Sequence, residues 1–155
     1  MMFEHTYEAI IDAEINLQDI RGSRTGVFIS VCFSDSETTM HHGNNQADVI
    51  VITSSITGPS YNIDTACSSS LYAMENAYRA IRSGQCDYAI VGASIHTCLY
   101  RMLNQNGHCK VFDEDANGYT RSKCVSVVFL QKVKTAKRIY ATIIHAKTNC
   151  DGYKK

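Results

Sequence analysis

One cysteine, Cys67, stands where a strand-like segment meets a helix-like segment. Before it, the residues SYNIDTA alternate in character, as a short strand that ends in a polar turn would. After it, large apolar residues recur at spacings of three and four up to Gly84, which indicates one stripe of an α-helix: Leu71, Met74, Tyr78 and Ile81. The unpaired N–H groups and positive dipole end of a helix favour the thiolate form of a cysteine. The pattern therefore predicts an activated nucleophile in the first turn of this helix.

Two other interpretations of this stretch stay open on the residues alone. A cysteine at this position can equally be a buried, small apolar side chain. The neighbours favour the nucleophile, because they are small enough to let a substrate reach the sulfur: Ala66, Ser68, Ser69 and Ser70. A hydrolase built on one of these serines is disfavoured, because the G-x-S-x-G turn is absent. We expect Cys67 to be the most reactive of the seven thiols.

The segments that must position Cys67 alternate between helical and strand-like patterns. Residues 3–15 form a helical pattern that places Phe3, Tyr7, Ile10 and Ile11 on one face. Four segments besides the one before Cys67 are strand candidates: TGVFISVCF (25–33), DYAIVGASI (87–95), CVSVVFLQKV (124–133) and IYATIIHAKT (139–148). This alternation predicts one α/β layered domain over residues 1–155, with a mixed sheet covered by helices on both faces.

The helix after Cys67 carries a second apolar line beside the larger stripe. Ala73, Ala77 and Ala80 recur at helical spacing. A helix with two apolar faces is expected to be buried between layers. Cys67 would then lie at the mouth of a central helix, in partly dry surroundings.

Length, composition and charge exclude several classes of function. The chain has 155 residues, of which 45% are hydrophobic, as in a globular domain with its own core. Fifteen basic and fifteen acidic residues give a formal net charge of zero, which disfavours nucleic acid and anionic membranes as partners. No apolar run is long enough to span a membrane, and the N-terminal residues alternate charged with apolar types, unlike a signal peptide. We expect a cytoplasmic protein.

The seven cysteines are expected to be free thiols. Their number is odd, and no secretory segment precedes them. A metal centre on His96, Cys98, His108 and Cys109 is the alternative, but no two cysteines form a C-x-x-C pair. We predict no metal site.

The stretch DTACSSSLYAMENAYRAIRSGQCDYAIVGA resembles the active-site region of β-ketoacyl synthases, the condensing enzymes of fatty-acid and polyketide synthesis. Flanking segments resemble the animal-type fatty acid synthase in particular: YEAIIDA, RGSRTGVFIS, CKVFDEDANGYTRS and YATIIHAKTNCDGYK. The resemblance covers nearly the whole chain. It implies a thiolase-like fold, here the N-terminal half of the synthase domain, and a homodimer.

The resemblance also implies a function for Cys67. In that family the cysteine accepts an acyl group from the phosphopantetheine thioester of an acyl carrier protein, and the acyl-cysteine then condenses with malonyl carrier protein as carbon dioxide leaves. The N–H of Cys67 would be one oxyanion donor, and Asp64, Thr65 and Ala66 would support the turn. Phosphopantetheine is the carrier of the substrate, and no cofactor bound by this region is implied.

The chain departs from the family in ways that bear on activity. The family supplies its enolate donors from histidines in H-G-T-G-T and G-H contexts, with a lysine upstream of the second, all well after the cysteine. No H-G-T-G-T segment occurs in this sequence, and its one G-H pair, Gly107-His108, falls in a segment where the family has no catalytic group. We consider five of the six histidines as substitutes, and none is credible: His41, His42, His96, His108 and His145. The stretch DVIVITSSIT stands in place of a different family segment, and HTCLYR stands in place of a family segment that is longer. Glu14 occupies a position where the family tends to have glycine. We expect a partial, internally deleted domain that accepts an acyl group without condensing it. The alternative is a non-catalytic remnant that binds acyl chains or pairs with a full-length subunit.

Overall fold

The computed structural model describes residues 2–32, 55–95, 103–104, 106–120, 124–150 and 152–153. Three α-helices and four β-strands lie in these ranges, with one 3₁₀ turn immediately before the longest helix. In chain order the elements are α1 (Met2–Asp12), α2 (Leu17–Ile20), β1 (Thr25–Cys32), β2 (Ser60–Ile63), the 3₁₀ turn (Ala66–Ser68), α3 (Ser69–Arg82), β3 (Tyr88–Ile95) and β4 (Cys124–Gln131). The predicted strands around residues 25–32, 60–63, 88–95 and 124–131 are confirmed, as is the helix that follows Cys67.

The four strands form one mixed sheet in the order β2-β1-β3-β4. β1 pairs in parallel with β2 and with β3, and β3 pairs antiparallel with β4. The register places Phe28 beside Tyr61 on one neighbour and beside Val91 on the other. The predicted mixed sheet is therefore confirmed.

Helices cover both faces of this sheet. Alternate residues of β1 point to opposite faces, so Val27 and Ile29 join one core cluster while Phe28 joins the other. The first cluster includes Met2 and Ile10 of α1, and the second is built on the alanines of α3. The layering expected from the alternating pattern is correct.

The sequence identified the wrong principal contact stripe on α3. Ala73 and Ala77 are fully buried against the sheet, whereas Leu71, from the larger stripe, is 72% exposed. Alanines let the helix approach the sheet closely, and longer side chains on that line would hold it away. Met74 and Ile81 of the larger stripe are partly buried at the edge of the cluster. The helix is thus covered on one side, not enclosed between two layers, within the described part of the chain.

The predicted face of α1 is also wrong in part. Of the four residues placed together, only Ile10 is buried, and Phe3, Tyr7 and Ile11 are between 45% and 52% exposed. The helix instead buries Met2, Thr6 and Ile10. Gly92 permits this orientation, because a Cβ at that position would lie 2.8 Å from the Met2 sulfur. The polar Thr6 is accommodated by donating its hydroxyl to the Met2 carbonyl at 2.8 Å.

The segment IYATIIHAKT does not form the predicted strand. Residues 139–149, which we term the C-terminal strap, have no ladder partner and run beside α3. The Tyr72 hydroxyl donates to the Asn149 carbonyl at 2.7 Å, and the Tyr78 hydroxyl donates to the Ile144 carbonyl at 3.3 Å. β-branched composition favours a strand only where a neighbouring strand supplies backbone partners, and here tyrosine side chains supply some of them.

Two helices end in the same Schellman arrangement with different residues at the left-handed position. After α1 the Ile15 N–H bonds the Ile10 carbonyl and Glu14 has a φ of 56°. After α3 the Gln85 N–H bonds the Ala80 carbonyl and Gly84 has a φ of 78°. Glycine adopts this conformation without a Cβ clash, so Glu14 is strained where Gly84 is not. No helix in the described part of the chain is long and apolar enough to cross a membrane.

Candidate active site around Cys67

The Cys67 turn begins where β2 ends at Ile63. The Asp64 carboxylate accepts the backbone N–H of Ala66 at 2.9 Å. Ala66 has a φ of 55°, a left-handed conformation that costs a non-glycine residue about 1 kcal/mol or more. The Asp64 contact therefore holds the chain in a conformation that the Ala66 side chain opposes. This strained residue precedes the cysteine directly.

Two serines fix the other side of the turn. The Ser69 hydroxyl accepts the Thr65 N–H at 2.7 Å and donates to the Ala66 carbonyl at 2.6 Å. The Ser68 hydroxyl donates to the Thr65 carbonyl at 2.9 Å. Ser69 is 1% exposed, so its bonds are shielded from competing water. These hydroxyls support the backbone, which disfavours a serine nucleophile here.

Cys67 lies just before the α-helix, and not in its first turn as the sequence predicted. It belongs to the 3₁₀ turn Ala66–Ser68, and α3 begins two residues later at Ser69. Its side chain is exposed, so the expected partly dry surroundings are not present in the described part of the chain. Exposure also removes the interpretation of Cys67 as a small core residue. The thiol is open to a substrate at the helix start, where backbone N–H groups point outward.

Among the cysteines whose side chains the structure describes, Cys86 is the buried one. It is fully buried in the core cluster under α3. Burial disfavours the thiolate and raises the pKa of Cys86 above its ordinary value. Cys86 therefore has the inert role that was one of the interpretations of Cys67.

Four cysteines of the described residues are exposed, Cys67, Cys109, Cys124 and Cys150, and Cys109 has a hydrogen-bond donor that the sequence did not indicate. The Thr120 N–H donates to the Cys109 sulfur at 3.0 Å, and hydrogen bonds from Thr120 lower the pKa of Cys109. Leu103 forms a parallel bridge with Tyr119, which brings the two ends of this loop together. The donor lies eleven positions after the acceptor in the sequence, and no spacing motif marks the pair. Cys109 therefore competes with Cys67 as the most reactive of the exposed thiols.

The described residues contain no group of three or more histidine, cysteine, aspartate or glutamate side chains that could hold a metal. His96 and Cys98 of the alternative zinc cluster lie outside the described residues, as do His41 and His42. His145 packs edge-on against the Tyr78 ring, with centroids 6.3 Å apart. The absence of a metal site and of a substitute histidine remain predictions.

Residues 1–136 match the family described as "Beta-ketoacyl synthase, N-terminal domain". The chain belongs to this family. Among curated proteins, this synthase chain is 41% identical over 178 positions to a fatty acid synthase of Anser anser anser, covering 100% of the chain and 51% of that protein. It is 34% identical to "Probable polyketide synthase 6" of Dictyostelium discoideum, covering 98% of the chain and 6% of that protein.

Solved ketosynthases share the fold. The ketosynthase from module 6 of the bacillaene synthase of Bacillus subtilis 168 superimposes with a TM-score of 0.73 and 30% identity, over 86% of this chain and 26% of that one. The thiolase-like α/β fold class is thereby confirmed. The chain spans about half the length of the Anser anser anser protein. That alignment occupies 178 positions against 155 residues, so at least 23 positions have no counterpart here, as expected of an internally deleted domain.

Proposed function

We propose that this ketosynthase region accepts an acyl group on Cys67 as part of fatty acid biosynthesis. The observation that carries the proposal is the exposed thiol, held between the strained Ala66 and the start of α3. The 41% identical fatty acid synthase favours fatty-acid chemistry over polyketide chemistry. The acyl donor is the phosphopantetheine thioester of an acyl carrier protein.

The acyl transfer is a thiol–thioester exchange. The Cys67 sulfur, as thiolate, attacks the thioester carbonyl carbon and forms a tetrahedral oxyanion. In this proposal, backbone N–H groups at the helix start, including that of Cys67, donate to this oxygen. The carbon–sulfur bond to phosphopantetheine then breaks, and the leaving thiolate takes up a proton. Asp64, Thr65 and Ala66 act through the turn and do not touch the substrate.

Condensation, the step that follows acylation in this family, needs groups beyond Cys67. Loss of carbon dioxide from a malonyl thioester generates an enolate that needs hydrogen-bond donors or cations. The sequence has no H-G-T-G-T motif, and its one G-H pair, Gly107-His108, falls where the family has no catalytic group. We therefore assign acylation, and not condensation, to this polypeptide. For the synthase domain to which this region belongs, we propose acyl and malonyl carrier protein as partners, and a second copy as a homodimer. β2 is the outermost strand on one side of the described sheet.

A non-catalytic remnant remains the second candidate, favoured by the absent histidine motifs. It predicts acyl-chain binding or pairing with a full-length subunit, with no covalent acyl-cysteine.

Peptide mass mapping after incubation with decanoyl-pantetheine tests the choice. We expect the decanoyl mass on Cys67 in the wild-type chain and in Cys109→Ser. Cys67→Ala should lose it. Label distributed equally over the exposed thiols, or no label at all, would overturn the nucleophile assignment and leave the remnant.

A further inference from the structure

A pocket of about 580 Å³ lies away from the Cys67 turn, at the other end of α3. It opens between that helix, β4, the end of α1 and the C-terminal strap. Consecutive residues from Val127 to Val133 line it, so the outer edge of β4 forms its floor. No residue between 55 and 73 contributes to its lining. The pocket is therefore distinct from the acyl site proposed above.

The walls of this pocket are mainly apolar. Met74 and Ile81 of α3 face it, and Ile139 and Ile143 of the strap close it from the other side. Its volume falls in the range of sites for small organic ligands, about 300–1,000 Å³. Such walls fit an alkyl chain, which makes no directional demands.

Charges at the rim are unevenly compensated. Arg138 is bound to the Asp12 carboxylate at 2.8 Å and stacks over the Tyr140 ring. Lys132 lies 3.5 Å from Asp87. These two cations are therefore already paired with carboxylates.

Arg82 differs from the other rim cations. One of its guanidinium nitrogens donates to the Tyr78 hydroxyl at 2.8 Å. Among the described residues no carboxylate lies within ion-pair distance of it. Its remaining N–H donors can form a fork with a planar anion, the geometry in which arginine binds carboxylates most strongly.

We propose that this pocket binds a free medium-chain alkyl carboxylate. The carboxylate lies on Arg82, and the alkyl chain lies between α3 and the strap along the edge of β4. The distance from Arg82 back to Met74 along the helix is about 12 Å, which accommodates an extended chain of medium length. Binding is non-covalent and does not involve Cys67.

The Tyr78 hydroxyl connects this site to the strap. It accepts from Arg82 and donates to the Ile144 carbonyl. A ligand held by Arg82 and packed against Ile139 and Ile143 therefore lies beside the attachment of the strap at Tyr78. We expect bound ligand to protect the amides of residues 139–145 from hydrogen exchange.

Calorimetric titration of the full 155-residue chain with laurate below its micelle concentration tests the proposal. We expect saturable binding at one site, with dodecanol at least tenfold weaker because it cannot pair with Arg82. Each methylene removed from the chain should weaken binding by about fourfold.

Two arginine variants on one exposed helix surface provide the matched comparison. Arg82→Gln should weaken laurate by about tenfold or more, since a charged hydrogen-bond pair is lost. Arg79→Gln removes the same charge outside the pocket and should bind as wild type, as should Cys67→Ala. Ala141→Trp should block binding, because it fills the strap side. No saturable binding by the wild-type chain, equal affinity for dodecanol, or an equal loss in both arginine variants would overturn the proposal.

Discussion

The Asp64 carboxylate holds the backbone N–H of Ala66 at 2.9 Å, one residue before Cys67. Ala66 is in the left-handed region, so its conformation depends on contacts of this kind. The position of the thiol relative to α3 thus depends on a side chain three residues earlier. Substituting Asp64 tests this dependence without altering the thiol.

Asp64→Ala is expected to slow acylation of Cys67 by about fivefold, because one net hydrogen bond that favours the turn is lost. Asp64→Asn retains an acceptor oxygen and should remain close to wild type. The measurement is the rate of decanoyl transfer to Cys67, followed by mass spectrometry. Equal rates in both variants would show that the turn does not need this contact.

Glu14→Gly should stabilise the domain by about 1 kcal/mol, because Glu14 occupies the left-handed position that ends α1. Gly84→Ala, at the equivalent position after α3, should destabilise it by a similar amount. A Cβ at Gly84 meets no atom within 4 Å, so the cost is one of backbone conformation alone. Urea unfolding midpoints compare the two directly. A Glu14→Gly chain less stable than wild type would contradict the strain argument.

Ala77→Leu should destabilise the domain by about 1–3 kcal/mol through overpacking, because Ala77 is fully buried where α3 meets the sheet. Leu71→Ala, on the same helix at a position 72% exposed, should change stability by less than about 0.5 kcal/mol. Thermal or urea unfolding reports both values. The reverse order would mean that the larger stripe is the buried one.

Thr120→Val should slow iodoacetamide labelling of Cys109 near neutral pH by about threefold. Hydrogen bonds from Thr120 stabilise the thiolate and lower the pKa of Cys109, so losing the hydroxyl raises that pKa and reduces the reactive fraction at a given pH. Labelling of Cys67 should not change in this variant, and Cys86 should react slowest in both chains because it is buried and its pKa is raised. Unchanged Cys109 labelling in Thr120→Val would remove Cys109 as a competitor.

The Cys67 region was largely predictable from sequence because local rules govern it. Three signals are local: the alternation of the strand before the turn, the three-and-four spacing of the helix after it, and Gly84 at the end of that helix. The buried stripe of α3 was not predictable in this way, since both apolar lines fit a helix. The alanine line faces the sheet because small side chains let the helix pack closely against it. The helix sequence alone does not show which line will face the sheet.

Two further departures depend on contacts that are distant in sequence. The C-terminal strap (139–149) has strand-favouring residues, but the hydroxyls of Tyr72 and Tyr78 donate to two of its carbonyls from 77 and 66 positions earlier. The Thr120 contact that tunes Cys109 depends on the closure of a polar loop. Neither follows from periodicity, because both depend on which partners the tertiary fold brings near.

The central claim is that this chain forms an acyl-cysteine on Cys67 without completing condensation. The most direct measurement offers a labelled acyl thioester together with malonyl carrier protein, and follows protein-bound label and released carbon dioxide separately. The account predicts label on Cys67, lost in Cys67→Ala, with carbon dioxide release at background. Carbon dioxide release that disappears in Cys67→Ala would contradict it, and so would the absence of bound label.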